Sequence, residues 1–140
     1  WLSMDIYNTD YTQSEGKKNG VLEDNLRKDR EIADLQRENF RKAHKAGVRM
    51  VYGTDAGIFP HGENAKQLAV MVRYGMTPLE AIQSATVNAS EALASADVGV
   101  LETGRWADLV AVVGDPTQDV TLLEQIPVVI KGGEVVKDAR

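Results

Sequence analysis

An α/β fold is predicted by three features of this chain: a short apolar run at Val48–Tyr52, long helical patterns on either side of it, and a change to brief β-type runs beyond Gly99. The run Val48-Arg49-Met50-Val51-Tyr52 follows a glycine and carries two β-branched residues, as a short buried strand does. At its end comes Gly53-Thr54-Asp55-Ala56-Gly57, one carboxylate among small residues, and shortly afterwards Pro60-His61-Gly62-Glu63-Asn64. Parallel α/β folds place ligands and catalysis where polar residues leave the carboxyl ends of strands. The same spacing also suits an aspartate that satisfies a turn or caps a helix, and spacing alone leaves both roles open.

The other elements follow in chain order. Trp1 to Tyr7 alternates Leu2, Met4 and Ile6 with Ser3, Asp5 and Tyr7, the period of a strand. Asn8 to Gly20 is a dense succession of Asn, Asp, Thr, Gln, Ser, Gly and Lys, which predicts a loop. Leu22 to Ala46 predicts a helix with Ile32, Leu35, Phe40, Ala43 and Ala46 as its apolar stripe, Glu38 four residues before Lys42, and Gly47 just past its end. His44, late in this helix, suits the negative end of the helix dipole. After Pro60-His61-Gly62 a further helix presents Ala65, Leu68, Ala69 and Val72 on one face, and Gly75 closes it. Thr77-Pro78-Leu79-Glu80 has the composition of a capping box and starts a helix through Ala85; Asn88 is placed to cap another, Ala89 to Ser95. Short strands are expected at Val100-Leu101, Leu109–Val113 and Val128–Ile130, with a hairpin at Lys131-Gly132-Gly133-Glu134 leading to Val135-Val136. Trp106 is expected to fill the core of this β region or its edge.

Composition excludes several classes. The chain has 140 residues, 43% of them hydrophobic and 26% charged, as in ordinary globular proteins. Its net charge of −5 argues against a nucleic-acid or anionic-membrane partner. It has no cysteine, which rules out disulfides and thiolate metal sites within it, and it has no apolar run of membrane-spanning length. A reducing, cytoplasmic setting fits this composition.

The run from Gly47 to Gly133 resembles the carboxyl-terminal end of the metal-dependent amidohydrolase superfamily. Within it, the look is that of the prolidase-like branch: Xaa-Pro dipeptidases and related carboxypeptidases, neighbours of imidazolonepropionases. The matching pieces are Gly53-Thr54-Asp55-Ala56-Gly57, Pro60-His61-Gly62, Gly75-Met76-Thr77-Pro78-Leu79-Glu80-Ala81 and Ala85-Thr86. Gly104, Ala107-Asp108-Leu109-Val110, Gly114-Asp115-Pro116 and Lys131-Gly132-Gly133 continue the match. Each piece is weak alone; their order and spacing make the signal specific.

The resemblance implies a (β/α)8 barrel carrying a small β-sandwich built by both chain termini. Residues 1–96 would be the end of the barrel, about strands seven and eight with their helices, and residues 97–140 the last sandwich strands. Asp55 would be the strand-eight aspartate, which binds the active-site metal and takes the proton of the attacking water. The metal would be divalent, zinc above all, as one or two ions. Tyr7 and Tyr11 would lie near the catalytic mouth, where the Tyr7 phenol could bind a substrate carboxylate; the bland alternative is surface packing. The stretch after Tyr7 would then serve as a lid. His61 would touch substrate from the rim or bond to backbone there. A whole barrel needs on the order of 250 residues, and the other ligands of this superfamily (a His-X-His pair on strand one, a bridging lysine or glutamate on strand four, histidines on strands five and six) have no counterpart in this chain. Together with a start at Trp1, this points to a piece of a longer protein that is inactive alone and forms a homo-oligomer. Two functions are therefore expected in competition: part of a hydrolase acting on an amide in a dipeptide or N-acyl amino acid, with a cyclic amide as alternative substrate, or a truncated or assembly subunit with a structural role only.

Overall fold

The computed structural model describes residues 1–140 and has a mixed α/β architecture. Two strands, β1 (Leu2–Ser3) and β2 (Met50–Val51), lie side by side in parallel, Leu2 opposite Met50 and Ser3 opposite Val51. The connection between them contains two helices, α1 (Ile6–Glu15) and α2 (Glu23–Lys45). This corrects two expectations. The strand period at Trp1–Tyr7 is used only at Leu2–Ser3, and the polar stretch from Asn8 is largely helix, not loop. No side chain caps α1, and its composition favours turns. It forms because tertiary contacts bury Ile6, Tyr7 and Thr9, which overrides local propensity.

The long helix α2 ends as expected in a Schellman motif: the N–H of Gly47 bonds the carbonyl of His44, and that of Val48 bonds Ala43. Its exposed side carries pairs such as Lys42 with Glu38 at 2.7 Å. The buried face keeps Phe40 of the expected stripe, with Ala43 partly buried against the core, and otherwise differs from it. Leu26, Ala33 and Phe40, seven residues apart and so two turns apart, face inwards. Ile32 and Leu35 are each 57% exposed.

Beyond β2 come α3 (Lys66–Arg73), α4 (Pro78–Ala85) and α5 (Val87–Ala92). In α3 the buried residues are Gln67, Leu68, Val70 and Met71; of the expected face, Leu68 is buried and Ala69 and Val72 pack partly buried against the core, so the inward face is wider than expected and admits a glutamine. The capping box of α4 is formed: the Thr77 hydroxyl accepts the Glu80 N–H at 3.2 Å, and the Glu80 carboxylate accepts the Thr77 N–H at 2.7 Å. That backbone donor, with the Thr77 hydroxyl and His44 also contributing, holds the Glu80 carboxyl below the usual glutamate range. Asn88 does not cap a helix; it sits inside α5 and its amide donates to the Met50 carbonyl at 3.1 Å.

A second, antiparallel sheet consists of β3 (Leu109–Ala111), β4 (Val128–Lys131) and β5 (Glu134–Asp138), in the order β3-β4-β5. The β4–β5 turn places two consecutive residues at positive φ, Gly132 at 57° and Gly133 at 85°, where side chains are disfavoured. Asp108 clamps this turn by accepting the Gly132 N–H at 2.6 Å. The Val100-Leu101 strand does not form, and Trp106 is 61% exposed, so it does not fill a core. Nothing within the chain covers the residues of β5, all of them exposed.

The core lies where α1, α2 and α3 meet β2, around Ile6, Phe40, Met50, Phe59, Leu68 and Met71. It is small, with 18 of the 140 residues buried. A self-sufficient domain of this length buries about 70% of the surface its unfolded chain exposes. With that core and open strand edges, the isolated chain is expected to associate or unfold. A monodisperse monomer by light scattering, melting cooperatively, would contradict this.

The capping box makes a second prediction, best measured in the full-length protein. Because the folded Glu80 pKa is depressed, its stabilisation is complete above the unfolded glutamate range (about 4.3) and is lost as pH falls through the lower folded value. Glu80→Ala should cost about 0.3–1.5 kcal/mol at pH 7. The difference between the two proteins in urea melts should shrink as pH drops below the glutamate range. A difference that grows there would assign the effect to something other than the ionised cap.

Candidate active site

The carboxyl ends of β1 and β2 approach closely. A Cβ added at Gly53 would lie 2.1 Å from the Ser3 hydroxyl oxygen, so a larger residue there would have to displace that side chain. Two residues on, Asp55 adopts φ 47°, a left-handed conformation that aspartate tolerates better than most residues. The turn leaves its carboxylate exposed at the end of the parallel pair. From there the chain loops through Phe59 and His61 to α3.

Asn64 holds that loop together. Its carbonyl accepts the Tyr52 hydroxyl, its amide donates to Thr54 Oγ1 at 3.1 Å, and its side-chain oxygen accepts the Gly62 N–H at 3.1 Å. Burial pushes the Tyr52 phenol up to about 12, so it remains a donor throughout the physiological range. His61 projects from this loop, exposed and without a hydrogen-bond partner.

Helix α1 leans over the same region. The Tyr7 ring packs edge-on against Phe59, 4.8 Å between centroids, and near Tyr11 at 6.3 Å. The Tyr7 hydroxyl donates to Glu63 Oε2 at 2.8 Å, and Lys66 Nζ lies 2.7 Å from the same oxygen. Burial, reinforced by Glu63, raises the Tyr7 phenol to about 12; Lys66, with Tyr7 assisting, holds the Glu63 carboxyl below its usual range. The phenolic proton that a substrate carboxylate would need is thus already engaged by Glu63. Tyr7 reaches this position from a helix, not from the strand that the sequence pattern predicted.

Three groups that the sequence pattern did not single out bring these residues together. Gln67, fully buried, accepts the Tyr7 N–H at 2.7 Å and donates to the Met4 carbonyl at 2.6 Å, joining α3 to the start of α1. A polar residue amid the apolar run of α3 was the available signal. Glu63 engages Tyr7, and Asn8, one residue past Tyr7, is the side chain that meets Asp55. His44 lies away from the site, 3.3 Å from Glu80.

No three His, Cys, Asp or Glu side chains stand together as a metal centre would require. At the ends of β1 and β2, Asp55 offers an exposed carboxylate, a hard oxygen donor suited to one position of a divalent-cation site and not to a whole one.

The comparisons with known proteins define the class. The amidohydrolase family pattern matches residues 1–136, and the chain belongs to that family. It is 35% identical over 124 residues to ochratoxinase of Aspergillus niger, covering 84% of this chain and 25% of that protein. It is 40% identical over 74 residues to imidazolonepropionase of Deinococcus deserti, covering 51% and 18%. Among solved structures it is similar to a Xaa-Pro dipeptidase with methionine bound in its active site, with a TM-score of 0.86 and 36% identity over 95% of this chain and 33% of the other. The chain therefore spans about a third or less of the length of these relatives.

Gln67 gives the testable consequence of this geometry. Gln67→Leu preserves bulk but strands a buried N–H and a partly buried carbonyl, together costing about 2 kcal/mol or more. Urea unfolding of the full-length protein should show a loss of at least about 2 kcal/mol. An unchanged midpoint would mean that water or another group serves these atoms.

Proposed function

We propose that this chain is the carboxyl-terminal part of a metal-dependent, prolidase-like hydrolase that cleaves an amide bond in a dipeptide or N-acyl amino acid. The observation that carries the reading is Asp55: an exposed carboxylate in a left-handed turn just past the carboxyl end of β2, in a chain of the amidohydrolase family. The likeness to a Xaa-Pro dipeptidase along nearly the whole chain supports the dipeptide class. In this reading residues 1–96 belong to the catalytic barrel and 97–140 to the small β-sandwich. The rest of the barrel supplies the remaining ligands, and the 140 residues alone are inactive. The setting is the cytosol, in keeping with a chain that has no cysteine to cross-link, and the complete enzyme is a homo-oligomer.

Asp55 would hold a divalent cation, zinc in the first instance, which when bound polarises the scissile carbonyl and acidifies water. Asp55 itself takes the proton of the attacking water on a carboxylate oxygen and returns it to the leaving amine, the work of a general base and then a general acid. His61, free at the rim, contacts the substrate's distal part. Tyr7 and Lys66 both donate to one Glu63 oxygen, so Tyr7 offers its proton to a substrate carboxylate only when Glu63 turns to Lys66 alone. The likeness to imidazolonepropionase makes a cyclic amide the second substrate class.

The test uses the full-length enzyme and a panel of Xaa-Pro dipeptides, N-acyl amino acids and cyclic amides. General base catalysis contributes about 10²–10⁴-fold, so Asp55→Asn should lower kcat by at least ~10³-fold once the altered metal ligand is added. His61→Ala should act mainly on KM, by roughly 1–2 kcal/mol. A folded Asp55→Asn enzyme with more than a tenth of normal turnover would make Asp55 a turn residue.

A further inference from the structure

The amide of Asn8 is the only side-chain group within hydrogen-bonding distance of the Asp55 carboxylate. Its Nδ2 donates to Asp55 Oδ2 at 3.5 Å and to Asp5 Oδ2 at 3.2 Å. A primary amide has two N–H donors, so both are assigned, one to each carboxylate. On its other side, Asn8 Oδ1 accepts the Thr12 hydroxyl at 3.4 Å. The orientation follows from chemistry: the flipped amide would set its oxygen against two carboxylates.

Asn8 itself has little freedom. It lies in the first turn of α1, one residue past Tyr7, whose N–H is fixed by the buried Gln67 and whose ring packs on Phe59 of the Asp55 loop. A donor carried by the first turn of α1 thus meets, at the long end of hydrogen-bonding distance, one oxygen of a carboxylate whose other oxygen has no partner. The donor is neutral, so it orients Asp55 without supplying the counter-charge that a lysine or arginine there would bring.

We propose that Asn8 is the positioning residue for Asp55, binding Oδ2 so that Oδ1 is presented in one orientation to the reacting water. This rests on the reading of Asp55 as the proton acceptor. Asp5 completes the arrangement by taking the second amide hydrogen, which keeps the Asn8 side chain from rotating away.

Three variants of the full-length enzyme test it, with whichever panel substrate is turned over best. Asn8→Leu keeps the bulk and removes the donor. Asn8→Asp keeps the shape and replaces the donor with a third carboxylate. Asn8→Ser retains a shorter hydroxyl donor. Removing a group that orients a metal-ligating carboxylate typically costs about 10–100-fold, so Asn8→Leu should lower kcat by that factor with KM within about twofold. Asn8→Asp should fall further, and Asn8→Ser should recover part of the loss. Independently of turnover, the visible absorption spectrum of the cobalt(II)-loaded protein should differ between Asn8→Leu and wild type, because the geometry at Asp55 changes. If Asn8→Leu does not fold by circular dichroism, the ranking of Asp below Ser, each relative to wild type, decides. A folded Asn8→Leu enzyme with normal kcat, KM and cobalt spectrum overturns the inference, as does Asn8→Asp matching or exceeding Asn8→Ser. If Asp55→Asn abolishes turnover while Asn8→Leu does not, only the role of Asn8 fails. If Asp55→Asn is active, the proton-acceptor reading fails and this inference with it.

Discussion

The arrangement at the strand ends depends on one buried side chain, the amide of Gln67. It makes two hydrogen bonds to backbone sixty and more residues away in sequence, at the point where β1 gives way to α1. A helix start leaves its first N–H groups without intrahelical partners, and α1 has no side chain of its own to cap them. Gln67 supplies a cap from another helix. Burying an amide is unfavourable unless both its donor and its acceptor are satisfied, and here both are. The same two bonds therefore start α1 and set its angle over the Asp55 loop. Asn8 and Tyr7 inherit their positions from it.

Charge then fixes how α1 lies against its neighbours. Asp10 is gripped by Arg37 of α2 and, at 2.8 Å, by Arg73 of α3, while Thr9 donates to Gln36 at 3.0 Å. The Asp10 and Arg37 side chains are about four-fifths buried, so this pair is costly to desolvate and contributes more to a unique orientation than to net stability. The pairs along the outer side of α2 are exposed and each contributes little. The ion pair that matters for the site is Glu63 with Lys66, because it also determines whether the Tyr7 proton is engaged.

Several large apolar side chains lie open on the surface. Ile32 and Leu35 on α2, Val110 in β3 and Val135 and Val136 in β5 are half or more open to solvent or close to it. No helix is long and apolar enough to cross a membrane, so these side chains do not mark a helical span. They are spread over a helix flank and a sheet, consistent with a chain that spans a third or less of its relatives.

Much of this was legible in the sequence wherever the determining chemistry is local. The Thr77–Glu80 capping box, the Schellman closure at Gly47, the two-glycine hairpin at Gly132–Gly133 and the strand ending before Asp55 each rest on residues within a few positions of one another. So did the family, because its short motifs keep their order and spacing along the chain. What sequence alone left undecided was every feature set by a partner distant in the chain. Helix α1 reads as loop because its cap is Gln67, and the inward face of α2 is chosen by what it packs against, so Phe40 is buried while Ile32 and Leu35 are not. Asn88 reads as a cap but serves the Met50 carbonyl. The sequence by itself determined which carboxylate stands at the end of the strand. Only the tertiary structure decided which amide comes within reach of it, because Asn8 and Asp55 lie 47 positions apart and meet only when α1 is folded back over β2.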